Sequence, residues 1–78
     1  MSRTREALKA MSVERLDIVL TDDMIDGGEK FSDLGVDSLD SIELIVSVED
    51  MLDIELSDER LESVENIKDL AEYLAEFD

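Results

Sequence analysis

No cysteine, histidine, proline or tryptophan occurs in this chain. Each absence closes a route. Without cysteine there is no disulfide framework, no thiolate zinc site and no thiol nucleophile of the chain's own. Without histidine the usual general base and the commonest transition-metal ligand are missing. One tyrosine and two phenylalanines leave few platforms on which bases could stack. Basic residues are scarce as well: 7 Lys+Arg stand against 23 Asp+Glu, for a formal net charge of −16. That balance repels phosphate backbones and argues against nucleic acid as a partner. No apolar run approaches the roughly 18–20 residues that span a bilayer, and no secretory leader is visible. The expected setting is cytoplasmic, with no membrane insertion.

What is present fits one small domain over residues 1–78, near the size where a single core is only marginally sufficient. Hydrophobic residues make up 44% of the chain, enough for a core, although self-repulsion erodes its stability. The lack of proline and the scarcity of glycine favour helix. The 3 glycines, Gly27, Gly28 and Gly35, fall together and mark one long irregular segment. Charge is uneven too. Residues 1–15 carry a small basic excess, and from Phe31 through Glu59 no base interrupts the acids.

Residues 3 to about 17 read as a first helix, with Ala7, Leu8 and Met11 on one face and Ser2 or Thr4 as its cap. Its pattern blurs after Met11, and the end falls near Leu16 or Ile18. Residues 20–36 read as a loop anchored by Met24, Ile25, Phe31 and Leu34. A loop this long in so small a domain points to function. The stretch from Asp37 to Leu52 is the clearest helix, with Asp37 placed to accept from free N–H groups of the first turn. At about 100° per residue, Leu44, Ile45, Val48, Met51 and Leu52 form a core stripe. Leu39, Ile42 and Val46 form a second stripe on roughly the opposite side, fenced by Glu43, Glu49, Asp50 and Asp53. Ser57 caps a short helical turn before Val64. Asn66, with Asp69 three residues on, caps a last helix from about Ile67 to Phe77. The expected fold is all-α: a small four-helix bundle of three main helices and one short one, with a long loop between the first two.

Asp37-Ser38-Leu39-Asp40 sits where that loop meets the strongest helix. A hydroxyl there lies at the positive end of a helix, which suits a phosphate group. Asp37, Asp40 and Glu43 oppose a free anion and could draw a divalent cation instead. With no histidine or cysteine in the chain to activate it, Ser38 is a poor catalyst and a reasonable acceptor, to be activated by another protein. As a bare pattern, Asp-Ser-Leu is equally the ordinary start of a helix.

The wider run Phe31-Ser32-Asp33-Leu34-Gly35-Val36-Asp37-Ser38-Leu39-Asp40-Ser41-Ile42-Glu43-Leu44 closely resembles the signature of acyl carrier proteins. The resemblance extends over roughly residues 24–77, through Glu49-Asp50, Leu56-Ser57-Asp58 and Tyr73. It implies a discrete carrier that is no enzyme and holds no metal. Ser38 would receive 4′-phosphopantetheine from coenzyme A, through a separate phosphopantetheinyl transferase, and the arm would carry acyl groups as thioesters. It further implies that Asp37, Asp40, Glu43, Glu49 and Asp50 steer basic patches of partner enzymes. Leu39, Ile42 and Val46 would dock to those partners. Phe31, Leu44, Val48, Leu56, Leu61, Val64, Leu70 and Tyr73 would line an acyl pocket, although most of them would be core in any bundle. The pathway implied is fatty-acid, polyketide or lipid biosynthesis, and the chain is expected to be a monomer. The alternatives are an aminoacyl or peptidyl carrier fed by an adenylation enzyme, or an acidic interaction module that is never modified. The aspartate after Leu39 and the acidity of the second helix lean towards the acyl type.

Overall fold

In the computed structural model, which describes residues 2–78, five helices account for the regular structure and no strand forms among those residues. They are α1 (Arg3–Leu16), α2 (Asp22–Asp26), α3 (Ser38–Leu52), α4 (Asp58–Leu61) and α5 (Ile67–Ala75). Three are long, as the periodicity predicts, and two rather than one are short. The extra element is α2, which falls inside the expected loop. Thr21 starts it by accepting the Met24 N–H at 3.2 Å, and Gly27 ends it. Five residues are too few to display a helical period, so local capping makes the turn where the hydrophobic pattern is silent. Ile25 in α2 is fully buried, while Met24, Phe31 and Leu34 are half-buried against the core.

Side-chain caps set the other starts. Ser2 accepts from Arg5 N–H, Asp37 from Asp40, Ser57 from Arg60 and Asn66 from Asp69. Each satisfies one of the N–H groups a first turn leaves free. At their other ends α1 and α3 stop on Asp17 and Asp53, both in the left-handed region at φ 56° and 55°.

α1 packs chiefly on α3 and α5, and α2 packs on α5. Leu8 and Met11 of α1 meet Leu44 and Val48 of α3 and Ile67, Leu70 and Leu74 of α5 in one core. The blurred pattern of α1 has a plain cause. Its inward face includes Thr4 and Ser12, each 1% exposed, and Ser12 Oγ returns its proton to the Leu8 carbonyl at 2.8 Å. Polar residues thus occupy positions at which an apolar period would show. Met51 departs from expectation. It belongs to the core stripe by spacing but is 54% exposed. Beside it runs an open groove bounded by Ala7 and Ala10 of α1, whose short side chains leave space that longer ones would fill.

Candidate functional site

The long connection ends at Gly35, Val36 and Asp37. Gly35 takes φ +79° with nothing within 4 Å of where a Cβ would stand, a conformation glycine adopts without strain. Val36 N–H donates to the Phe31 carbonyl at 2.9 Å, and the Val36 side chain is buried. The segment is therefore fixed just before it enters α3. Asp37 Oδ1 accepts the Asp40 N–H at 2.8 Å, which makes Asp37 the cap and Ser38 the first helical residue. Ser38 is exposed. Its carbonyl accepts from Ser41 Oγ at 2.8 Å, but its own hydroxyl enters no hydrogen bond among the described residues.

Beyond Ser38, α3 presents Leu39, Ile42 and Val46 to solvent at 72%, 58% and 47% exposure. Asp37, Glu43 and Asp50 are exposed and Asp40 is half-buried beside them. Glu49 differs: its Oε2 accepts the Leu56 N–H at 2.9 Å. One of the acids expected on the docking face thus also ties down the α3–α4 connection, a task that its sequence position does not announce.

A groove of about 450 Å³ opens between α3 and α4. Phe31, Ile42, Ile45, Val46, Leu61 and Val64 supply its apolar lining. Of the eight residues expected in an acyl pocket, it gathers Phe31, Leu61 and Val64. Leu44, Val48, Leu56, Leu70 and Tyr73 lie deeper, each at most 7% exposed, as part of the packed core. Ile42 and Val46 serve both the outer face and the groove, and Ile45 lines it although its spacing assigns it to the core. The signal was present: residues 42, 45 and 46 share a helical face by the i, i+3, i+4 rule. Among the described residues no group of three or more acids gathers as a metal site.

A small helical bundle that sets a bare hydroxyl on a helix start, beside an apolar groove, has the form of a carrier domain. The family described as phosphopantetheine attachment site matches residues 6–74. The acyl carrier protein of Zymomonas mobilis subsp. mobilis is 36% identical over 76 residues, which span 97% of this chain and 96% of that one. The acyl carrier protein of Phytoplasma mali is 36% identical over 64 residues, 82% of this chain and 69% of that one. The acyl carrier protein of Syntrophobacter fumaroxidans is 49% identical over 43 residues, 55% of this chain and 53% of that one. The chain belongs to the acyl carrier protein family.

It is accordingly a carrier and not an enzyme, with 4′-phosphopantetheine as its prosthetic group, and it works with a phosphopantetheinyl transferase and acyl-processing enzymes. The residues present fit that group. An exposed serine hydroxyl with no hydrogen bond among the described residues is open to forming a phosphodiester, and the apolar groove begins one helical turn on at Ser41 and Ile42. Among the described residues no helix is long and apolar enough to cross a membrane.

Proposed function

We propose that Ser38 is the attachment point, that the exposed face of α3 docks to partners, and that the α3–α4 groove shelters the cargo. The reading makes residues 1–78 one acyl-carrier domain, acting as a cytoplasmic monomer in fatty-acid or related biosynthesis. The observation that carries it is the Ser38 hydroxyl, exposed on the first residue of α3 and unspent in any internal bond. The base comes from the transferase, because this chain has no histidine and no cysteine. There Ser38 Oγ would give up its proton to that base and displace adenosine 3′,5′-bisphosphate from the diphosphate bridge of coenzyme A, one P–O bond breaking as the serine phosphodiester forms. Once bound, the group supplies the thiol that this chain lacks and holds acyl groups as thioesters.

Asp37, Asp40, Glu43 and Asp50 give the docking face a single sign of charge, and such a rim raises the encounter rate with basic partners more than the affinity. Leu39, Ile42 and Val46 add a small apolar contact. At about 25 cal/mol/Å² it contributes a few kcal/mol before the cost of association. Contacts of that strength are short-lived, as a carrier serving several enzymes requires.

The test is Ser38→Ala with coenzyme A and a phosphopantetheinyl transferase. The variant keeps the helical circular dichroism of the parent and gains no pantetheine mass by intact mass spectrometry. A variant that still gains it refutes the assignment.

A further inference from the structure

α4 is held in place unlike the longer helices. The main helix packing joins α1 to α3, α1 to α5 and α2 to α5, and no residue of α4 is buried. Beside the half-buried packing of Leu61 on the core, a single tyrosine pins it at two points. Ser57, the cap of α4, donates its N–H to Tyr73 Oη at 2.8 Å. Within the same turn, the Arg60 guanidinium stands 4.0 Å from the centroid of the Tyr73 ring. Both of its terminal nitrogens donate to the Glu76 carboxylate, Nη1 to Oε1 at 3.0 Å and Nη2 to Oε2. Arg60 is thus gripped between an aromatic face and a carboxylate at the end of α5.

We infer that the Arg60–Tyr73–Glu76 clamp is a latch that sets how firmly the α3–α4 groove holds an acyl chain. The inference rests on the groove being the cargo site, as proposed above. α4, its cap Ser57 and the three residues after it form a wall with two sides. Asp58, Leu61 and Val64 line the groove. Ser57 and Arg60 meet Tyr73 on the other side. Whatever moves the clamped side moves the groove side. The groove's apolar lining calls for an aliphatic cargo, gripped between that wall and Phe31, Ile42, Ile45 and Val46. The clamp itself is weak by construction. Exposed ion pairs and cation–π contacts are modest, and salt screens the former. Opening is therefore frequent, which suits repeated loading and release. Arg60 is a positioning residue: it touches no cargo and acts through Leu61 and Val64.

The test compares the parent, Arg60→Ala, and the charge-swapped pair Arg60→Glu with Glu76→Arg. Two readouts are independent. In the unloaded protein, hydrogen exchange at the amides of Leu61, Glu62 and Ser63, which close on Ser57, Asp58 and Arg60, reports the latch. It quickens about 5-fold in Arg60→Ala, the loss expected for one exposed charge pair with its ring contact, and the swapped pair restores part of it. In the loaded protein, hydroxylamine cleavage of butanoyl and decanoyl thioesters reports shelter. The parent protects the decanoyl thioester more than the butanoyl one, and Arg60→Ala narrows the difference. Unchanged exchange in Arg60→Ala overturns the latch and leaves the groove reading intact. Faster exchange with undiminished protection overturns the link between latch and cargo. A parent that protects neither thioester overturns the groove reading itself.

Discussion

The carboxylate of Asp78 accepts the backbone N–H of Thr4 at 2.9 Å and the hydroxyl of Ser2 at 2.7 Å. A residue more than seventy positions away thereby completes the cap of α1, whose first turn is the positive end of a helix. Ser2 Oγ in turn accepts from Arg5 N–H. Asp78→Ala lowers Tm by a few degrees, and Asp78→Asn, which can still accept, by less. Thermal melts followed by circular dichroism decide the matter. An unshifted Tm in the alanine variant means that this bond contributes nothing to the bundle.

The acid-lined face of α3 leads to a kinetic expectation. Association with the transferase slows about tenfold between low and physiological salt, because charges steer encounters over a screening length of about 8–10 Å. Asp40→Asn with Glu43→Gln flattens that dependence. Ile42→Ala instead speeds dissociation. Stopped-flow association at several ionic strengths separates the two, and a rate indifferent to salt removes the steering role.

Much of this architecture is readable from the chain. α3 and α5 show themselves because apolar residues recur every three or four positions and because Asp37 and Asn66 are good caps in the right places, as Ser57 is for α4. The second stripe at Leu39, Ile42 and Val46 is legible for the same reason. α1 is harder, since Thr4 and Ser12 face inward and break the apolar rhythm. α2, shorter than two helical turns, shows no period, and like α4 it is marked only by its cap, here Thr21. Met51 obeys the period and still faces solvent, because its fate depends on two alanines of another helix. The site divides likewise. Ser38, the proposed attachment point, is singled out by its flanks. The Glu49–Leu56 bond, the Arg60 clamp and the Asp78 cap join residues that only the folded chain brings together, and no local spacing encodes them.

Three carboxylates are held in their charged form by the fold, which fixes the sign of their own contribution to the pH dependence. Asp22 lies below the usual aspartate value of 3.8 through hydrogen bonds from Lys9 and Arg5. Glu76 lies below the usual 4.5 through those from Arg60. Asp78 lies below 3.8 chiefly through the Thr4 N–H and then the Ser2 hydroxyl. Folded values below unfolded ones mean that the unfolded chain binds protons first. The stabilisation is therefore present above these ordinary values and is lost as pH falls through the lowered ones. Their contribution to Tm fades from about pH 4.5 downward, and Glu76→Gln with Asp78→Asn makes the acid-side decline shallower. An equally steep decline in that double variant assigns acid unfolding to other groups.

Asp53 carries two penalties at once. Its backbone is left-handed at φ 55°, which costs a residue with a Cβ more than it costs glycine. Its charge also sits at the negative end of α3, just past Glu49 and Asp50 and with no base in the last turn. Asp53→Gly relieves both and Asp53→Asn only the second, since asparagine needs the same backbone. Glycine raises stability by about 0.5–1 kcal/mol, several degrees in Tm for a domain of this size. Asparagine gives a smaller gain that shrinks as salt is added. A destabilised Asp53→Gly would show that the aspartate side chain makes a contribution to the turn larger than its backbone strain. Equal gains from the two variants would assign the whole effect to charge.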